Sequence, residues 1–201
     1  ICKKFNCKLI IQKKRGYGSA IIEGFNHAKN QYACIFNADY SFNPKYLQIM
    51  FRETKNYDFI FGSRYSKNAS SDDDDIITFI GNKCFSFFSK YFLQININDI
   101  LFTYVLCDVK KFKCLNLKSN DFRLCIELPF KISRNFSYSE ISMKERARYA
   151  GKKNVNVRCL DLEYLEIKKT FKPKAKLKRE FLHKIMCKSI NKALQNTEGL
   201  G

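Results

Sequence analysis

The chain has 201 residues, with 37 Lys and Arg against 19 Asp and Glu, for a formal net charge of +18. Hydrophobic residues make up 45% and aromatics 15%, enough for one packed domain, which excludes a wholly disordered basic tail. Three prolines and eight glycines exclude collagen-like or Pro-rich low complexity.

The excess charge suits a polyanion: nucleic acid, an anionic membrane surface or a phosphorylated substrate. The joint abundance of Lys, Asn, Ile, Phe and Tyr is also what AT-rich codons produce, without any partner. The nine cysteines include no C-x-x-C pair, and His27 and His183 are the two histidines. No zinc site of ordinary spacing can be written, and the scattered cysteines read as small buried hydrophobes in a reducing, cytoplasmic setting. No run approaches the ~18 apolar residues that span a bilayer. The best stretch, Phe79 to Leu93, is broken by Asn82, Lys83 and Lys90. The chain opens on Ile1 with no visible signal peptide, which suggests a fragment or a partial gene model.

In chain order, Lys8 to Gln12 is predicted to be a short strand, closed by the turn Lys13-Lys14-Arg15-Gly16-Tyr17-Gly18. Ile21, Phe25 and Ala28 recur at helical spacing, with Ser19 placed to cap the start. Tyr32 to Phe36 is a buried-type strand ending in Asn37-Ala38-Asp39. Asn43-Pro44 opens the helix that carries Leu47, Met50 and Phe51. Asp58 to Phe61 is a further strand, ending in Gly62-Ser63-Arg64. This alternation is the βαβ pattern of a mostly parallel sheet covered by helices.

Ser66 to Asp75 reads as a surface loop whose acids, Asp72 to Asp75, face solvent because consecutive carboxylates repel. A helix follows, with Ile80, Cys84, Phe87 and Tyr91 on one stripe, a pattern that ordinarily faces a core. Ile100 to Val109 is predicted as strand, Phe122 to Phe130 as helix and Ser137 to Met143 as strand. Lys174 to Leu194 has the pattern of a basic amphipathic helix, fit either to pack on the domain or to lie on an anionic leaflet. Residues 1–167 are predicted to form the folded domain and 168–201 a basic amphipathic tail.

Ligands bind parallel sheets at the carboxyl ends of the strands, and three unusual clusters fall there. They are the glycine turn, Asn37-Ala38-Asp39, and Gly62-Ser63-Arg64. An acid leaving a buried strand is placed to hold a divalent cation with its diphosphate, and an Arg at a neighbouring strand end can grip phosphate or carboxylate. An Asp after a strand is more commonly a turn residue; three clusters in consecutive units carry more weight than any one.

Arg15-Gly16-Tyr17-Gly18 also matches the start of an RNA-binding RNP1 motif. Ser19 and Ala20 stand where base-stacking aromatics belong, and the run leads into a helix, so nucleic acid is not the expected partner.

The run Lys14-Arg15-Gly16-Tyr17-Gly18-Ser19-Ala20, then Phe36-Asn37-Ala38-Asp39 with Pro44, resembles family 2 glycosyltransferases of the dolichyl-phosphate mannose synthase and polyprenyl-phosphate sugar transferase type. Gly62-Ser63-Arg64, Asn82, Asp99, Glu127, Glu140-Ile141-Ser142-Met143, Arg148 and Gly151-Lys152-Lys153-Asn154 continue the order. The resemblance implies an α/β GT-A fold, Rossmann-like, that transfers a sugar with inversion from a nucleotide-diphosphate sugar, using Mg²⁺ or Mn²⁺. It places Asn37 and Asp39 at the metal, Asp99 of the acceptor loop as the catalytic residue, the base that deprotonates or orients the acceptor, and Gly16, Gly18, Arg64, Glu127 and Arg148 at substrate. Asn37 replaces the usual first acid of the metal motif, and Leu101-Phe102-Thr103 replaces the usual small residue and glycine. The expected acceptor is a polyprenyl-phosphate lipid, which implies a peripheral position on the cytoplasmic face of an anionic membrane. A non-catalytic remnant of the same fold is the alternative.

Overall fold

The computed structural model describes residues 4, 5 and 7–149. The predicted C-terminal basic helix, the 168–201 tail and Gly151 to Asn154 lie outside the described residues.

The elements alternate as the patterning predicts. Helix α1 (Tyr17–His27) is followed by β1 (Tyr32–Cys34), α2 (Tyr46–Glu53), β2 (Phe59–Ser63) and the short β3 (Ser70–Ser71). Then come α3 (Ile76–Leu93), β4 (Val105–Asp108), α4 (Val109–Cys114), α5 (Leu124–Asn135), β5 (Tyr138–Ser142) and β6 (Lys144–Glu145). The main sheet has the order β1-β4-β2-β5, and β3 pairs with β6 in a two-stranded ribbon. Strand β4 is antiparallel to both β1 and β2, whereas β5 is parallel to β2. Strands β1, β2 and β5 therefore point the same way, with β4 reversed between two of them.

The period of two along β2 divides its side chains between the faces of the sheet. Phe59 and Phe61 join a core with Phe25 of α1, Phe85 and Phe88 of α3, Phe112 of α4 and Ile126 of α5. Ile60 faces the other way, with Tyr46 and Met50 of α2, Leu106 of β4, Phe42, Phe102, Tyr104 and Met143. All five residues of β2 are buried, as expected for a strand covered on both faces.

Several expectations change. Lys8 to Gln12 forms no strand: no described strand pairs with it, and Leu9 and Ile11 are 68% and 82% exposed. An extended segment without a neighbour has no ladder to join. Gly16, not Ser19, is the N-cap of α1, and Ser19 is buried within the helix. Residues Ser70 and Ser71 pair with Lys144 and Glu145 instead of looping freely. On α3 the buried side carries Asn82, Phe85, Ser86, Phe88, Ser89 and Leu93, whereas the predicted stripe includes Phe87 and Tyr91 at 65% and 70% exposure. Of the strand predicted from Ile100 to Val109, only Val105–Asp108 forms one, and helix α4 starts at Val109, where Asp108 caps it by accepting from the Lys110 and Lys111 N–H groups.

Candidate functional site

The shared direction of β1, β2 and β5 gathers three chain segments at their carboxyl ends. These are the loop 35–42 after β1, Arg64 after β2, and residues 143–149 after β5. Because β4 is reversed, residues 99–104 arrive at the same end. Asp39, Arg64, Asp99 and Arg148 are thus assembled by topology, although up to 109 positions separate them in sequence.

Arg64 is 8% exposed and Asp99 fully buried. The Arg64 Nε and Nη2 atoms donate to the two Asp99 carboxylate oxygens at 2.8 and 2.9 Å, and the Arg64 backbone N–H adds a third bond at 2.9 Å. Its Nη1 reaches Asp74 at 3.1 Å and Glu145 at 3.2 Å. The guanidinium also lies against the rings of Tyr65 and Phe102, at 4.9 and 4.7 Å. Burial alone would weaken the charged form of Arg64, but the carboxylates of Asp99 and Glu145 more than offset it. Burial raises the Glu145 carboxyl above its ordinary value. One guanidinium therefore ties together the ends of β2, β6, the acidic loop and the loop before β4.

Arg148 holds Asp73 through two nitrogens, the shortest contact being 2.6 Å. That hydrogen bond, with the nearby Asp39 charge as a smaller contribution, raises the Arg148 pKa. The run Asp72 to Asp75 is thus not a merely solvated face. Asp73 and Asp74 pair with Arg148 and Arg64, and Asp75 caps α3 by accepting from the Thr78 N–H at 2.7 Å. Asp73, Asp74, Tyr65 and Glu145 were missed as site residues. The legible signal was an acid run before a helix in a chain with Arg64 and Arg148 at strand ends.

Asp39 lies in the loop after β1, where its Oδ1 accepts from the Ser41 N–H at 3.1 Å and the Ser41 hydroxyl at 2.8 Å. Its second oxygen is outside that turn. Asn37 is partly buried two positions earlier. Among the described residues no three His, Cys, Asp or Glu side chains form a cage for a metal ion. A single carboxylate beside an amide fits a cation that shares its coordination with substrate phosphates, as Mg²⁺ commonly does.

The remaining predicted residues form a second group. A methyl on Gly18 would sit 2.2 Å from the Ser119 carbonyl oxygen, and one on Gly16 equally close to that of Asn120. The glycine turn is therefore pressed against the loop 119–121, and the Ser19 N–H donates to the Asn120 carbonyl at 2.9 Å. Glu127 holds that loop from beneath, accepting from the Lys118 and Ser119 N–H groups at 3.0 and 2.7 Å while pairing with Lys131 at 2.7 Å. Burial opposes ionisation of Glu127, but Lys131 and these N–H groups hold its carboxyl below the ordinary value. Between the two groups stands Tyr17, whose ring stacks on Phe122 at 4.9 Å and whose hydroxyl meets that of Thr103.

The model of the family described as Glycosyl transferase family 2 matches residues 1–115, more than half the chain. That span contains Gly16, Gly18, Asn37, Asp39, Arg64 and Asp99; Glu127 and Arg148 lie beyond it. The chain is similar to a dolichol-phosphate mannosyltransferase of Saccharomyces cerevisiae, at 31% identity over 71 residues. The match covers 35% of this chain and 27% of that protein's length.

Proposed function

From the premise that this chain belongs to glycosyl transferase family 2, with the GT-A, Rossmann-like α/β fold of that family, we propose that it transfers a sugar from a nucleotide-diphosphate sugar to a phosphate-bearing lipid acceptor, with inversion. The observation that carries the acceptor class is the state of Asp99. A hydroxyl acceptor needs a positioned base to take its proton. Asp99, the acid expected for that work, is fully buried and gives both oxygens to Arg64. A phosphate acceptor is already ionised near neutral pH, since its second pKa is about 6, and it attacks without a base. The similarity to a dolichol-phosphate mannosyltransferase supports the same class.

In this reading Asp39, with Asn37 beside it, holds Mg²⁺ or Mn²⁺, whose chemistry there is to neutralise charge on a departing nucleoside diphosphate. Arg148, partly exposed and beside Asp39, presents a cation toward the acceptor phosphate while Asp73 fixes its fork. Arg64 and Asp99 hold the strand ends that carry these groups. No helix among the described residues is long and apolar enough to cross a membrane. The exposed α3 stripe and the net charge of +18 support attachment to an anionic leaflet.

The test is transfer of labelled sugar from a panel of nucleotide sugars to polyprenyl phosphate, against the matching polyprenol, with and without chelator. Transfer to the phosphate alone, lost with chelator and reduced at least 100-fold by Asp39→Ala, is expected. Equal transfer to the alcohol would remove the acceptor argument, and full activity in Asp39→Ala would sink the assignment of Asp39.

A further inference from the structure

The segment Arg146–Tyr149 grips the loop Asp39–Phe42 at four consecutive positions. The Tyr149 N–H donates to the Asp39 carbonyl at 2.9 Å, and the Arg146 N–H to the Ser41 carbonyl at 3.1 Å. Arg146 Nη2 donates to the Phe42 carbonyl at 2.7 Å. The guanidinium carbon lies 3.8 Å from the centroid of the Tyr40 ring. Ser41, held on one side by Arg146, holds the Asp39 carboxylate on the other through its N–H and hydroxyl.

Two features show that the loop is constrained. Tyr40 has φ 77°, in the left-handed region that a bulky residue seldom adopts. The Arg146 Nε is buried without a hydrogen-bond partner among the described residues, so the side chain forgoes a bond in the position that serves the loop. Strained torsions persist where their surroundings over-determine them, and they concentrate at ligand sites.

We infer that Arg146 is a positioning residue: its planar fork, laid on the Tyr40 ring and bonded to the Phe42 carbonyl on either side of Ser41, sets the direction of the Asp39 carboxylate. The inference rests on the reading of Asp39 as the residue that holds a divalent cation, and it names what orients that residue. Charge alone has the opposite sign, because a cation beside a cation site repels the incoming ion. The fork also cannot be replaced by lysine, which lacks the flat face that lies on the Tyr40 ring.

Binding of Mn²⁺ alone to the intact chain, followed through the resonance signal of the free ion, separates these cases. Asp39→Ala should weaken binding at least tenfold. Arg146→Lys and Arg146→Ala should each weaken it several-fold, and Arg146→Ala should add nothing in the Asp39→Ala background. Unchanged or tighter binding in both Arg146 variants overturns the inference and leaves the role of Asp39 standing. Unchanged binding in Asp39→Ala overturns the underlying reading and the inference with it. Should Arg146→Ala fail to fold, Tyr40→Gly carries the test. Glycine adopts φ 77° freely, so the melting temperature should hold or rise while Mn²⁺ affinity falls several-fold. Unchanged affinity, or a parallel loss of stability and affinity, overturns the inference.

Discussion

Arg64 faces Asp99, Asp74 and Glu145 from a buried position, so the two ways of disturbing this group differ in cost. Arg64→Ala leaves three carboxylates without their cation and is expected to cost about 3–5 kcal/mol. Asp99→Asn keeps the shape and leaves Arg64 paired with two acids, so its cost should be about 1–3 kcal/mol. Urea denaturation of both variants checks the order; an Arg64→Ala variant within about 1 kcal/mol of the parent would show that the group does not hold the strand ends. The position of Arg64 at the carboxyl edge was legible in the sequence, because strand ends follow from apolar runs and turns, whereas Asp99 was named through the family resemblance and reaches that edge because β4 is reversed. Their mutual bond was not legible. Periodicity locates a side chain along its own strand and says nothing of a partner 35 residues away. The acids Asp73 and Asp74 were misread for the same reason: their cations, Arg148 and Arg64, lie elsewhere in the chain, and local repulsion was weighed without them.

The elements were read correctly where one face differs clearly from the other. Helix α3 shows how that contrast fails. Its buried face carries Asn82, which donates to the Tyr65 hydroxyl at 2.8 Å, and Ser86, whose hydroxyl accepts from the Ile100 N–H. These polar residues made the core side resemble the solvent side, while Phe87 and Tyr91 made the solvent side resemble a core. Helix α1 offers a cleaner test of local against tertiary effects, because it has glycines of opposite kind. A methyl at Gly24 meets nothing within 4 Å, so Gly24→Ala is expected to stabilise the protein by about 0.5–1 kcal/mol through helix propensity. Gly18→Ala drives a methyl onto the Ser119 and Asp121 carbonyls at 2.2 and 2.9 Å, and a loss of about 1–3 kcal/mol is expected. Thermal melting of the pair decides. Shifts of the same sign would mean that the glycine turn does not bear on the 119–121 loop as described.

At the scale of the whole molecule, the net charge of +18 and the α3 stripe combine into one expectation. Ile76, Phe79, Ile80, Phe87 and Tyr91 leave an apolar strip exposed along one helix, and a basic chain brings that strip toward an anionic surface. The chain should sediment with phosphatidylserine-containing vesicles at low salt and much less with neutral ones. Replacing Phe87 and Tyr91 together by Ser should weaken the association roughly tenfold; failure to pellet at low salt would remove the membrane reading. The α/β class was legible at this scale, whereas the reversal of β4 was not, since a buried strand reads the same in either direction. The same sheet order governs how the protein is made. No two described strands adjacent in the main sheet are consecutive among the described strands, so none of them pair as a hairpin; β2 meets β4 first, where Phe59 pairs with Cys107, 48 positions later, and waits for β5, where Phe59 meets Tyr138, 79 positions later. At a synthesis rate of about 5–20 residues per second, Phe59-Ile60-Phe61 emerges from the ribosome roughly 4–16 seconds before that partner exists. Through that interval one edge of the future centre of the molecule stays open even after β4 has joined the other, so the nascent chain, more than the finished fold, is the aggregation-exposed form.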